Sequence, residues 1–321
     1  MQRRTLLSAT SAALALAAAG ARAQQRGRYP SRPITILVGF APGGAGDVTA
    51  RFIADAAKEK LGVPVVVENR PGAGATLAAA QLARSQPDGY TLALATTSPF
   101  TVSPHLQTVQ YDAAKDFTYL VQYLVTPHPA YVTTQSPFRT WQDVIAYARA
   151  NPGRLRWATA APRGGPHIAT EAAFRKEGVR TTFVPFGGGS EAIAALLGGH
   201  IEMVVSADYP PLLEAGQVRV LAEIGPDKVP GMENVPTFVD LGYPLPLQMF
   251  FGLAGPAGLP AEVIGIWERV VQEIMATPAW ADLMQRYKAT SSFLPHARFQ
   301  ERVLFTNREI GRLVRELGFR S

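Results

Sequence analysis

The chain of 321 residues has no cysteine. Disulfides, thiolate nucleophiles and cysteine-held metals are therefore excluded. Histidine is scarce: the five are His105, His128, His167, His200 and His296. None stands in a His-x-x-x-His pair, so no zinc site is expected. Charged residues make up only 17% of the chain against 47% hydrophobic ones, the balance of a globular protein rather than a disordered one. Beyond the N-terminus no apolar run is long enough to span a bilayer. The glycine-rich loops lack a P-loop lysine, and Thr49 and Leu77 stand where a dinucleotide fingerprint needs its third glycine. Nucleotide binding is therefore not expected.

What is present begins with an export leader. Arg3-Arg4 form a charged start, Leu6 to Gly20 an alanine-rich apolar core, and Ala21-Arg22-Ala23 a small-x-small cleavage signal. Residues 1–23 are read as a signal peptide, for either the general or the twin-arginine route. They hold three arginines and no acid, so 31 basic residues fall to 28 against 25 acidic ones, about +3. That charge is too mild to argue for nucleic acid.

Strand-like and helix-like runs alternate along the rest, which predicts an α/β layer with a parallel sheet. Ile34–Phe40 is a β-rich run, and Val48, Phe52, Ile53, Ala56, Ala57 and Leu61 recur at helical spacing up to Gly62. Pro64–Glu68 and Tyr90–Ala95 read as strands around a helix at 76–85. A second unit starts near Pro127, with strands at 130–133, 155–158, 182–185, 201–205 and 219–224. Helices are expected at 141–150 (capped by Thr140), 167–177 and 191–197 (capped by Ser190). Residues 226–246 read as loop, and helices return at 260–276, 279–287 and 296–317.

Two loops concentrate the chemistry: Ala41-Pro42-Gly43-Gly44-Ala45-Gly46-Asp47 and Arg163-Gly164-Gly165-Pro166-His167. Each lies between a strand and a helix. Glycine there admits close backbone approach, and helix N-termini with unpaired amides attract anions. The distance between the loops in sequence points to a small anion clamped between two lobes. Asp47 either contacts a ligand or caps its helix. Arg163 either pairs with a carboxylate or is a solvated loop residue. His167 either lines the cleft or is a bystander. Thr96, Thr97 and Ser98 follow a strand end, where α/β sheets bind ligands, or form an ordinary turn. Ser190 lacks the closing glycine of a nucleophile elbow, while Gly187-Gly188-Gly189 can present amides to an anion. Phe250-Phe251 is core or cleft wall.

Many short motifs in one order give the chain a family resemblance. They are Phe40-Ala41-Pro42-Gly43-Gly44-Ala45-Gly46-Asp47 with Ala50-Arg51, then Val67-Glu68-Asn69-Arg70-Pro71-Gly72-Ala73-Gly74. Pro87-Asp88-Gly89-Tyr90-Thr91-Leu92, Tyr111-Asp112 with Lys115-Asp116-Phe117, and Ala150-Asn151-Pro152-Gly153 follow. Later come His167-Ile168-Ala169, Val184-Pro185-Phe186, Leu197-Gly198-Gly199, Ala215-Gly216, Val235-Pro236-Thr237, and Phe251-Gly252-Leu253 with Pro256-Ala257-Gly258. From about Tyr29 onward the chain resembles the Bug-type solute-binding proteins of tripartite tricarboxylate transporters. The resemblance departs at Gly46, Gly165-Pro166 and Phe186-Gly187, where the family more often carries hydroxyls or a tyrosine–lysine pair. The Ser206-Ala207-Asp208-Tyr209 stretch is shorter than usual, and Asp208 is its candidate ligand contact.

The resemblance implies an α/β fold of two lobes, type II-like, with the ligand cleft between them. Lobe 1 is expected at 28–126 plus 249–321, and lobe 2 at 127–248. The expected function is extracytoplasmic capture of a small carboxylate and delivery to membrane transporter subunits. It involves no catalysis, metal or cofactor, in a periplasmic protein read as monomeric. A hydrolase or transferase in the same cleft, or a sensor for a membrane signalling partner, are the alternatives. Expected ligand contacts are Pro42, Gly43, Gly44, Asp47, Thr97, Ser98, Arg163, Gly164, His167, Gly188 and Asp208.

Overall fold

The computed structural model describes residues 29–245 and 247–319. The expected leader at 1–23 lies outside the described residues. In chain order the first elements are β1 (Ile34–Val38), α1 (Ala45–Leu61), β2 (Val65–Asn69), α2 (Thr76–Ala83), β3 (Thr91–Thr96) and β4 (Phe117–Thr126). The chain then crosses into a second set. It comprises β5 (Pro129–Thr133), α3 (Trp141–Ala150), β6 (Arg156–Thr159), α4 (Gly165–Lys176), β7 (Thr182–Phe183) and α5 (Gly189–Leu197). β8 (Met203–Val205), α6 (Pro210–Glu214) and β9 (Val218–Glu223) complete it. The return runs through β10 (Met249–Pro256), α7 (Ala261–Met275), α8 (Pro278–Tyr287), β11 (Thr290–Pro295) and α9 (His296–Glu316).

The local choices follow from the residues. α1 stops where Gly62 takes φ +70° and its amide bonds the Lys58 carbonyl, the left-handed end that glycine adopts without a Cβ clash. α3 starts with a reciprocal cap: the Asp143 amide donates to the Thr140 hydroxyl, and the Asp143 carboxylate accepts the Thr140 amide. Ser190 is not the expected cap of α5. The cap position is Gly188, and Ser190 sits in the first turn, donating its hydroxyl to the Pro42 carbonyl at 3.0 Å.

Two sheets result, ordered β11-β4-β10-β3-β1-β2 and β7-β6-β8-β5-β9. The expected parallel pairing holds for β1 with β2 and β3, and for β6 with β7 and β8. It does not hold for the rest. β10 runs antiparallel between β3 and β4, β11 is antiparallel to β4, and β5 is antiparallel to β8 and β9. A strand that arrives from the other sheet need not follow the direction a β-α-β crossover imposes.

Each sheet carries its own core. Tyr119, Phe100, Phe117 and Phe299 interlock on one face of the first sheet, and Trp267 and Trp280 on the other. Trp141, Trp157 and Phe174 fill the second, with Trp141 and Phe174 stacked at 5.6 Å. α9 joins both: Phe299 and Val303 pack under the first sheet, while Ile310, Val314 and the following Phe319 pack into the core of the second.

Candidate ligand cleft

Between the two sheets lies a narrow cavity of about 40 Å3, part of it open to solvent. Its walls are the segments that leave the carboxyl ends of parallel strands. Phe40 and Gly44–Gly46 follow β1, Thr96 and Ser98 close β3, Ala160 and Ala161 follow β6, and Ala207 and Asp208 follow β8. This is where open α/β sheets hold ligands, because each strand ends there and hands over to a helix N-terminus. Met249 and Phe251 of β10 and His128 of the crossing segment complete the wall. In β10 the period of two decides the Phe250-Phe251 pair: Phe251 faces the cavity, while Phe250 turns away and meets the Phe299 ring edge-on at 5.3 Å.

The two halves touch across this cavity. The Ala45 amide donates to Oδ1 of Asp208 at 2.6 Å, and the Gly165 amide to Oγ of Ser98 at 3.0 Å. The Ser190 hydroxyl reaches the Pro42 carbonyl, and the Ser103 hydroxyl the Arg163 carbonyl at 3.2 Å. Glycines permit the approach. A Cβ on Gly188 would lie 2.8 Å from the Ala41 amide nitrogen, and one on Gly164 would lie 2.6 Å from the Ser98 hydroxyl.

Of the expected contacts, Gly44, Ser98 and Asp208 line the cavity. Gly164, Gly188 and the Pro42 carbonyl lie in the surrounding contacts between the halves. Gly43, with φ +85°, shapes the turn and gives its amide to Asp47 at 2.9 Å. Asp47 and Thr97 stand one layer behind. The Thr97 hydroxyl accepts the Phe250 amide at 3.0 Å. The Asp47 carboxylate accepts Asn69 at 2.8 Å and Arg51 at 3.0 Å, and Asn69 in turn donates to the Phe40 carbonyl. Burial alone would raise the Asp47 pKa, but Arg51, the Gly43 amide and Asn69 together hold it below the ordinary value. Arg163 and His167 face away from the cavity. They line a shallow outer depression with Leu106, Glu171, Arg175 and Phe319. The His167 ring stacks on Phe183 at 3.8 Å and accepts the Arg163 amide through Nδ1. Burial, with Arg163 nearby, lowers its pKa to about 4.

Sequence reasoning missed His128 and Met249 as wall residues. Neither sits in a motif, and each reaches the site only because the chain crosses between sheets at that point. His128 Nδ1 donates to the Thr126 carbonyl, and burial lowers the ring's pKa to about 4, so it is neutral near pH 7. Beside it, Glu223 ends β9. Its Oε1 accepts the amides of His128 at 3.1 Å and Gly225 at 2.9 Å, its Oε2 has no partner, and burial pushes its pKa up to about 8. Among the described residues no Lys or Arg lines the cavity, and no cluster of three metal-ligating side chains occurs.

A family model described as tripartite tricarboxylate transporter family receptor matches residues 49–318. The chain belongs to this family. The receptor is 32% identical over 326 residues to a Cupriavidus necator protein described as UPF0065 protein in gbd 5′region, covering 99% of this chain and 98% of that one. It superposes on the periplasmic binding protein BugD with a TM-score of 0.85 at 26% identity, covering 91% of this chain and 99% of that chain. It also superposes on R. palustris Rpa4515 with adipate, TM-score 0.84 at 27% identity, with the same coverage of both. The receptor therefore has the two-lobe fold of periplasmic solute-binding proteins and a solute-binding role.

Proposed function

We propose that the receptor captures a small organic acid in the periplasm by closing its two lobes, and passes it to membrane transporter subunits without chemical change. The proposed lobes are 28–126 with 249–321, and 127–248, the end of α9 reaching from the first onto the core of the second. A leader cleaved near Ala23 would deliver the chain to that compartment. Among the described residues no helix is long and apolar enough to cross a membrane, consistent with a partner supplying the membrane passage.

One observation carries the reading: the cavity is walled by the strand ends of both sheets, and hydrogen bonds from both sides close it. A ligand held there contacts both lobes at once, so binding and closure are one event. The hydroxyls of Thr96 and Ser98 are the donors proposed for its carboxylate. The Thr96 hydroxyl is buried and has no partner within the protein, and a buried hydroxyl favours a ligand that supplies one.

The test is calorimetric titration of protein stripped of ligand by unfolding and refolding, against mono-, di- and tricarboxylates of two to eight carbons. Saturable binding of at least one acid, with a rise in melting temperature, is expected. At a hundred times the dissociation constant the stabilisation is about 2.7 kcal/mol. Absence of binding across the panel would refute the reading.

A further inference from the structure

A position in the cleft between two helix amino ends is filled by the chain's own carboxylate, Asp208; burial raises its pKa, and the Ala45 amide and the Ser206 hydroxyl work against that rise. Asp208 comes from the second lobe, just after β8, and is 9% exposed. Its Oδ1 accepts the amide of Ala45, the first residue of α1 in the other lobe. Its Oδ2 lies where a Cβ on Gly189, the first residue of α5, would fall. One carboxylate thus sits between the amino ends of two helices, one from each lobe. Each end carries about half a positive charge. The loop holding Asp208 is itself fixed: its amide donates to the Ser206 hydroxyl, which also bonds the Tyr131 hydroxyl at 2.8 Å.

The rest of the cavity is poor in charge. The Thr96 hydroxyl has no partner in the protein, and the Ser98 hydroxyl, which accepts the Gly165 amide, keeps a proton to donate. Phe40, Met249, Phe251, Ala160 and Ala161 supply an apolar wall. Two hydroxyls at the end of β3 can hold one carboxylate. A second carboxylate reaching across the cavity would meet Asp208, and like charges a few ångströms apart in a buried site repel strongly.

From this geometry we infer that Asp208 takes the place of one ligand carboxylate, so that the receptor selects a monocarboxylate with an apolar body and rejects dicarboxylates. The inference rests on the solute-binding reading above and names its ligand class. Asp208 closes the anion site from within, and the ligand presents its single carboxylate to Thr96 and Ser98 and its hydrocarbon to Phe40, Met249 and Phe251.

Matched pairs test it: butyrate against succinate, hexanoate against adipate, benzoate against terephthalate. Each is titrated calorimetrically into wild type, Asp208→Asn and Asp208→Ser. Wild type should bind the monoacid of at least one pair tenfold or more tightly than its diacid. Both variants should narrow or reverse that ratio by tenfold, with the dicarboxylate gaining. The wild-type ratios decide the matter even if the variants fold poorly. A wild type that binds diacids as well as monoacids overturns the inference and leaves the solute-binding reading standing. So does a ratio unchanged in folded variants. Binding of neither class overturns the inference, and the solute-binding reading falls with it only if the tricarboxylates of the wider panel fail as well.

Discussion

At the scale of single residues, burial sets which groups hold charge. Glu223 is raised from 4.5 to about 8, so its folded form keeps a proton that the unfolded chain releases. Its contribution is complete below pH 4.5 and is lost as pH rises toward 8. His128 and His167 are lowered from 6.5 to about 4, so theirs is complete above pH 6.5 and is lost as pH falls toward 4. His105, also lowered by burial, acts in the same sense. Between pH 4.5 and 6.5 the histidines outweigh Glu223; from 6.5 to 8 their gain is complete and the loss from Glu223 continues. Stability should peak near pH 6.5, with a melting temperature about 4 °C lower at pH 8. Glu223→Gln should flatten that alkaline limb; a limb unchanged in the variant would refute the assignment. Gly188 permits a second test at this scale. Its φ of 177° is extended backbone open to any residue, yet a Cβ there presses on Ala41 of the other lobe. Gly188→Val should therefore weaken ligand binding at least tenfold, measured by titration, and shift the unliganded melting temperature by less than about 3 °C. Gly44, Ser98 and Asp208 were legible as cleft residues because they lie in loops at strand ends. Arg163 and His167 lie in such a loop too, but their side chains point outward, which loop chemistry alone does not reveal.

At the scale of elements, the β1–α1 loop is held by one acid. Asp47 ties the Gly43 amide, Arg51 and Asn69 together, and Asn69 fixes the Phe40 carbonyl beside the cavity wall. Asp47→Ala leaves those donors without their acceptor, and should cost roughly 1–3 kcal/mol of stability in denaturant titration. It should also loosen the wall formed by Phe40 and Gly44–Gly46 and so lower ligand affinity. Most helices were legible from period and caps: Gly62, Thr140 and Pro260 mark real boundaries. Three strands were not. β4 is buried on both faces along most of its length, so it shows no alternation. β10 contains Gly252 and Gly255, which suggest a loop; in the structure a Cβ at Gly252 would strike the Val121 carbonyl and one at Gly255 would strike Leu259. β11 is short and begins Thr290-Ser291-Ser292, too polar for a strand signal. All three pair antiparallel in the first sheet, so the parallel reading failed where the pairing is least local.

At the scale of the whole molecule, the two-lobe outline was legible through family motifs and through glycine loops far apart in sequence. The path of α9 was not, because its apolar stripe does not say which core each turn meets. Its early turns lie under one sheet, and Ile310, Val314 and Phe319, at 3%, 1% and 8% exposure, complete the core of the other. That path ties the melting of one half to the melting of the other. Unfolding the second half strips α9 of half its partners, and fraying α9 uncovers both cores. Scanning calorimetry should therefore record one endotherm, with calorimetric and van't Hoff enthalpies equal. Deleting residues 310–321 should resolve it into two peaks, the second half melting first. Two peaks in the intact chain would mean that the shared helix transmits no cooperativity.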